Sequence, residues 1–247
     1  MRAGVFDSGV GGLSVLKSLI NAKLFDEIIY YGDTARVPYG VKDKQTIVRF
    51  SLEALDFFAP HHIDILIVAC NTVSAYALAE MQAKSKIPIV GVIEPGVLAV
   101  QNKLSNTDSQ ILIIATRATI NSGEYEMRLR KIGFWNLKSL ATGLFVPIVE
   151  EGLLEGAIVE DIFEYYFSSL SNPPKAIILG CTHFPLIAPA LDKYFKHQSI
   201  LIHSGEAIVE YLESRLHLTS GDSLKSLQFY ASDNPAMLTK IAQKWLS

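Results

Sequence analysis

Short runs of aliphatic and β-branched residues recur along the chain, near residues 2–6, 27–31, 63–69, 88–92, 110–115, 136–141, 176–179 and 199–203. Most are apolar throughout rather than alternating with polar residues, as strands covered on both faces require. Between them lie helix-compatible stretches. Val41 to Phe58 and Asn71 to Ser85 are long enough for helices and free of internal proline, with Pro60 and Pro88 just beyond their ends. Strands and helices in alternation predict an α/β fold of mainly parallel sheet flanked by crossover helices. Leu227 to Ala231 adds an edge strand, followed by a last helix from Pro235 to Trp245 behind a Ser232-Asp233-Asn234 cap cluster.

The pattern also repeats. Asp7, at the end of the first strand, corresponds to Thr116 after Ile111-Leu112-Ile113-Ile114-Ala115, 109 positions on. Val37-Pro38 corresponds to Val146-Pro147, again 109, and Cys70 to Cys181, 111 positions on. Three anchors in one order point to duplicated supersecondary units. The expected architecture is two pseudo-symmetric lobes with a cleft between them. Residues 1–93 form the first together with a returning segment, 206–247, and residues 94–205 form the second.

Composition narrows the function. The 247 residues carry 22 Lys plus Arg and 25 Asp plus Glu, a net charge of −3, with 49% hydrophobic and 19% charged residues. Such a chain buries a core and is not disordered. No Lys/Arg cluster supplies a footprint for a phosphate backbone, so nucleic acid is not expected as the primary ligand. Asp7 interrupts any leader-like apolar run, and no run approaches the roughly 18 residues of a membrane span. A cytoplasmic protein is expected. Two cysteines so far apart make neither a disulfide framework nor a four-ligand zinc site.

Those two cysteines are the strongest chemical signal. Ile63-Asp64-Ile65-Leu66-Ile67-Val68-Ala69 runs into Cys70-Asn71-Thr72, and Lys175-Ala176-Ile177-Ile178-Leu179-Gly180 into Cys181-Thr182-His183. Both thiols therefore stand at strand C-termini, where open parallel sheets bind ligands and where the next helix offers free N–H groups. A single such cysteine reads as a buried structural residue; two at equivalent places in two lobes read as function. Thiols approaching a molecule from opposite sides suit removal of a proton from one face and its return to the other. A Cys–His hydrolase needs one thiol and leaves the duplication unexplained, and a redox pair is more naturally spaced C-x-x-C.

Asn71, Thr72, Thr182 and His183 bring short polar side chains and N–H donors to the mouths of the lobes, suited to a carboxylate; capping is the alternative use of Asn71. Asp7, before Ser8-Gly9-Val10-Gly11-Gly12, can receive an ammonium, orient a thiol or cap the next helix. The glycine run does not fit G-x-G-x-x-G, because Ser14 takes the last glycine place, and no G-x-x-x-x-G-K-[ST] occurs. His61-His62 beside Pro60 is read as a surface pair, and no metal is predicted. Tyr30-Tyr31, Tyr165-Tyr166-Phe167 and Trp245 receive no function.

Together these residues resemble the cofactor-independent glutamate racemases, within the aspartate/glutamate racemase superfamily. Gly4-Val5-Phe6-Asp7-Ser8-Gly9-Val10-Gly11-Gly12-Leu13-Ser14-Val15-Leu16 is similar to the family's opening signature, and Tyr31-Gly32-Asp33-Thr34-Ala35-Arg36-Val37-Pro38-Tyr39-Gly40 to its second. Ala69-Cys70-Asn71-Thr72 and Leu179-Gly180-Cys181-Thr182-His183-Phe184-Pro185-Leu186 resemble its two catalytic segments. The resemblance implies interconversion of L- and D-glutamate by 1,1-proton transfer without a cofactor, supplying D-glutamate for peptidoglycan, in a homodimer. It implies that Cys70 takes the proton from D-glutamate and Cys181 from L-glutamate, with Asp7 and His183 assisting the thiols and Glu150 supporting. Substrate contacts fall on Asp7, Ser8, Tyr39, Gly40, Asn71, Thr72, Thr182 and His183. Thr142-Gly143 stands where the family often has Cys-Pro, and Arg117 where a small residue is expected; both bear on the cleft wall, as does Thr119. An aspartate racemase, or from another class a non-catalytic two-lobed amino-acid-binding protein, are the competing readings.

Overall fold

Among the described residues, nine strands divide between two sheets. β1 (Arg2–Asp7), β2 (Glu27–Gly32), β3 (Ile65–Val68) and β4 (Ile89–Gly91) belong to the first. β5 (Ile111–Ala115), β6 (Leu137–Ala141), β7 (Ala176–Gly180) and β8 (Ile200–His203) form the second, and β9 (Ser226–Ala231) joins the first. This computed structural model describes residues 1–221 and 223–246; Asp222 and Ser247, both in the expected returning segment, lie outside the described residues. All pairings are parallel. The orders are β4-β3-β1-β2-β9 and β6-β5-β7-β8. Read from its other edge, the second is β8-β7-β5-β6, the strand order of the first without β9. The duplication expected from residue spacing is thus a duplication of topology, and Cys70 and Cys181 follow equivalent strands, β3 and β7.

The helices, in chain order, are α1 (Leu13–Ala22), α2 (Lys44–Phe58), α3 (Asn71–Tyr76), α4 (Leu78–Lys84), α5 (Ile93–Lys103), α6 (Arg117–Ser122), α7 (Glu124–Lys131), α8 (Phe145–Glu150), α9 (Ala157–Phe167), α10 (Ala188–Tyr194), α11 (Ser204–Leu216) and α12 (Pro235–Leu246). They cover both faces of each sheet, so β1, β3, β5 and β7 are almost wholly buried. On one side of the first sheet Val5, Ile67, Leu16, Leu19, Ile208 and Leu238 pack together; on the other Phe6, Leu66, Val68, Ala54 and Phe58 do. Leu112, Ile114, Leu179, Phe145 and Phe163 fill one side of the second sheet.

Two local details depart from the sequence pattern. α2 begins at Lys44 rather than Val41, because Asp43 caps it by accepting from the Thr46 backbone N–H, while Tyr39–Val41 make a 3-10 turn. The helix expected over Asn71 to Ser85 is two helices, broken at Ala77 (φ −123°, ψ −8°). The Ser74 hydroxyl donates to the Val68 carbonyl and accepts from the Val92 N–H, tying α3 to the sheet ahead of the break.

Helix α5 leads from the first sheet to the second and α11 leads back. α11 packs against both α5 and α1, so the two crossovers lie side by side and bring the strand C-termini of the sheets face to face. Ser14 of α1 donates to the Thr182 carbonyl at 2.7 Å, joining the halves directly. Among the described residues no helix is long and apolar enough to cross a membrane.

Candidate active site

One narrow cleft, about 30 Å³, is lined by Ser8, Tyr39, Gly40, Cys70, Asn71 and Thr72 from the first half and by Thr116, Glu150, Cys181, Thr182 and His183 from the second. Space on that scale holds one or two waters, so an amino acid requires the walls to part. Larger depressions lie elsewhere, including one of about 290 Å³ between Val10, Val149, Met237 and Trp245, and they contain neither cysteine.

Cys70 occupies the N-cap position of α3 with extended backbone, so its sulfur faces the first turn. Its Sγ donates to the Ser8 hydroxyl at 3.4 Å. Burial, reinforced by the charge of Asp7, pushes the thiol up to about 12, against the opposing hydrogen bonds of Ser8 and the Val73 N–H. This half of the site holds its proton.

Cys181 is the mirror position with different company. His183 Nδ1 lies 3.7 Å from Cys181 Sγ, and its Nε2 lies 3.1 Å from Glu150 Oε1. Burial alone lowers an imidazole, but the hydrogen bonds to Cys181 and Glu150 and the charges of Cys181 and Asp7 prevail, raising His183 to about 10. A protonated imidazole thus stands beside the second sulfur, where the first sulfur has a hydroxyl and a backbone N–H. Trp245 meets the His183 ring edge-on, with centroids 6.4 Å apart.

Asp7 lies behind this surface. It is fully buried, accepting from the Gly9 N–H at 2.9 Å and from the Thr182 hydroxyl at 3.3 Å, and burial raises its carboxyl despite His183. Its placement reaches both cysteine segments without opening on the cleft. Gly11 explains how the halves come so close: a Cβ there would overlap Thr182 Oγ1 and the Nδ1–Cε1 edge of His183.

The wall from the 3-10 turn rests on a buried carboxylate. Asp33 accepts from Tyr39 Oη, from Arg36 Nε at 2.6 Å and from Ser232 Oγ at 2.6 Å; Arg36 in turn pairs with Glu53 and covers the Phe50 ring. Gly40 then approaches Thr116 so nearly that a Cβ would meet its side chain at 2.5 Å. Opposite, the hydroxyls of Thr72, Thr116 and Thr119 lie 3.0 Å from one another in a closed triangle. Three hydroxyls in a ring satisfy each other by donating in one sense around it.

The structure therefore gathers Ser8, Tyr39, Gly40, Cys70, Asn71, Thr72, Glu150, Cys181, Thr182 and His183 in one cleft, with Asp7 directly behind. Asn71 does not cap its helix: its carboxamide bonds to Tyr125 and Ser204. Tyr125, Ser204 and Thr116 are neighbours that the sequence left without a role in the site, although the repeat placed Thr116 opposite Asp7; Thr119, expected at the cleft wall, stands in the hydroxyl triangle. Thr142 is fully buried, and its hydroxyl is the buried side-chain polar atom without a partner among the described residues. No group of three or more His, Cys, Asp or Glu side chains among those residues has the geometry to hold a metal ion.

Residues 13–212 match the Asp/Glu/Hydantoin racemase family. Over 246 residues, all of this chain and 96% of the relative, the chain is 58% identical to the glutamate racemase of Nitratiruptor sp.. The crystal structure of glutamate racemase from Campylobacter jejuni superposes with a TM-score of 0.98 at 56% identity, covering 100% of this chain and 98% of that one. That of Francisella tularensis glutamate racemase in complex with D-glutamate gives 0.86 at 35% identity, covering 99% and 93%.

Proposed function

This chain belongs to the Asp/Glu/Hydantoin racemase family, and from that premise we propose that it interconverts L- and D-glutamate by two-base proton transfer at Cα, with Cys181 and Cys70 as the bases. It is an amino-acid racemase, an isomerase. The observation that carries the mechanism is the pair of thiols on equivalent strands, opening on one cleft from its two sides.

In the direction from L-glutamate, the Cys181 thiolate takes the Cα proton. The S–H bond forms as C–H breaks, and the electron pair moves into the carboxylate. Cys70, which holds its proton, delivers it to the opposite face, leaving Cys181 as thiol and Cys70 as thiolate. From D-glutamate the roles reverse. The protonated His183, backed by Glu150, gives the Cys181 sulfur both a donor and a positive charge, and Ser8 and the Val73 N–H serve Cys70. An amino-acid Cα–H is a very weak acid, so donors preorganised toward the developing charge carry the barrier reduction, roughly 3 kcal/mol for each well-placed donor. The Asn71 carboxamide and the backbone at Ser8, Gly40, Thr72 and Thr182 are positioned for this, since the Thr72 and Thr182 hydroxyl protons are already given to the threonine ring and to Asp7, and closure of so small a cleft around the substrate excludes water.

The D-glutamate so formed supplies peptidoglycan synthesis in the cytoplasm, and the working form is a homodimer; these readings rest on the family resemblance. The test is to incubate purified protein, without additives, with L-glutamate, D-glutamate and L-aspartate and to follow optical activity. Decay of both glutamate enantiomers to a racemic mixture supports the reading. Racemisation of aspartate alone replaces the substrate, and inactivity toward all three favours an amino-acid-binding protein.

A further inference from the structure

Asn71 lines the cleft, but most of its carboxamide is already committed behind the wall. Tyr125 Oη donates to Asn71 Oδ1 at 2.6 Å, Asn71 Nδ2 donates to Ser204 Oγ at 3.4 Å, and Ser204 Oγ donates to the Leu179 carbonyl at 3.4 Å. All three side chains are buried, with 3%, 2% and 4% of Tyr125, Asn71 and Ser204 exposed. They come from different elements: α3 after the first thiol's strand, α7 of the second half, and the start of the return crossover α11.

Counting protons gives the chain a direction. The Leu179 carbonyl only accepts, so it takes the single Ser204 proton. Ser204 then offers Asn71 a lone pair, which only an N–H can use. The carboxamide must therefore turn Nδ2 toward Ser204 and Oδ1 toward Tyr125, whose hydroxyl donates. Oδ1 is occupied and one N–H is occupied; one N–H remains. We infer that Tyr125 and Ser204 are positioning residues that hold the Asn71 carboxamide in one orientation, so that it presents an N–H and not a carbonyl oxygen to a substrate carboxylate. This deepens the glutamate reading and rests on it for the identity of the carboxylate.

The Tyr125 ring is itself held in place, since a Cβ on Gly180 would meet it at 3.3 Å and one on Gly96 at 3.4 Å. Tyr125→Phe keeps that packing and removes only the donor. Oδ1 is then buried without a partner, which removes most of what favours this orientation; in the turned-over amide Oδ1 takes the Ser204 proton in place of the Leu179 carbonyl, and the oxygen faces the carboxylate. An unpaired buried acceptor shifts such a two-state balance by about a factor of ten, and apparent affinity falls with the competent fraction.

The test compares wild type, Tyr125→Phe, Ser204→Ala, Asn71→Ala and the double variant Tyr125→Phe/Asn71→Ala. The expected result is a rise of about tenfold in KM for glutamate in Tyr125→Phe with kcat within about twofold, and a change of the same sign in Ser204→Ala. In the Asn71→Ala background, Tyr125→Phe adds nothing, because there is no amide left to orient. An unchanged KM, or a rise that persists undiminished without Asn71, overturns the inference and leaves Tyr125 a packing residue. Calorimetric Kd values for D-glutamate give the same comparison without turnover. Failure of wild type to racemise glutamate overturns the proposed function separately, and those Kd values then decide the orientation.

Discussion

Replacing His183 with Gln removes a titrating group while keeping a polar side chain of similar length, and its effect on stability should depend on pH in one specific way. Folding raises this imidazole from 6.5 to about 10. At 1.36 kcal/mol per unit, that is about 5 kcal/mol of stabilisation. Because the folded value is the higher one, the contribution is complete below pH 6.5 and is lost as pH rises through 10. At pH 8 about 3 kcal/mol remains. The contribution of the Cys70 thiol, raised from 9.0 to about 12, is lost only above pH 9, so it does not overlap the lower part of this window. Urea unfolding of wild type and His183→Gln at pH 6, 7, 8 and 9 measures the difference. The stability gap should be widest at pH 6 and narrow with a slope approaching 1.36 kcal/mol per pH unit. Parallel stability curves, with a gap independent of pH, would refute the assignment of a proton to His183 beside Cys181.

Other consequences are as direct. Gly11→Ala drives a methyl group into Thr182 and the Nδ1 edge of His183; kcat should fall by at least about tenfold, while circular dichroism shows a folded protein. Gly40→Ala presses on Thr116 and should disturb the hydroxyl triangle, appearing as a raised KM for glutamate in steady-state assays. Glu150→Gln takes a hydrogen-bonded carboxylate from His183 Nε2; the stability gap described above should then close at a lower pH than in wild type, as the imidazole is held less strongly.

Much of this architecture is legible in the sequence, because buried parallel strands write long apolar runs and because the two cysteines end two of them. The repeat was readable for the same reason: equivalent strands recur at nearly constant spacing, and the matching strand orders follow. Other features have no local signal. The break at Ala77 follows a residue, Ser74, whose hydroxyl bonds to backbone at Val68 and Val92, partners that no local pattern announces. The role of Tyr125 depends on a helix of one half meeting an asparagine of the other, and nothing in Glu124-Tyr125-Glu126 marks that residue. Likewise Asp7 stands at the expected strand end, but its position behind Thr182 is set by the docking of the halves around Gly11.

The two-thiol mechanism is tested most directly by racemising L-glutamate in D2O and separating the enantiomers early in the reaction, in wild type and in Cys70→Ser and Cys181→Ser. Two bases on opposite faces remove a proton with one thiol and deliver solvent deuterium with the other. The D-glutamate formed should therefore carry deuterium at Cα while the remaining L-glutamate keeps its proton, and both variants should lose racemisation. Equal deuterium in both enantiomers, transfer of the original proton into the product, or undiminished racemisation in either variant would contradict it.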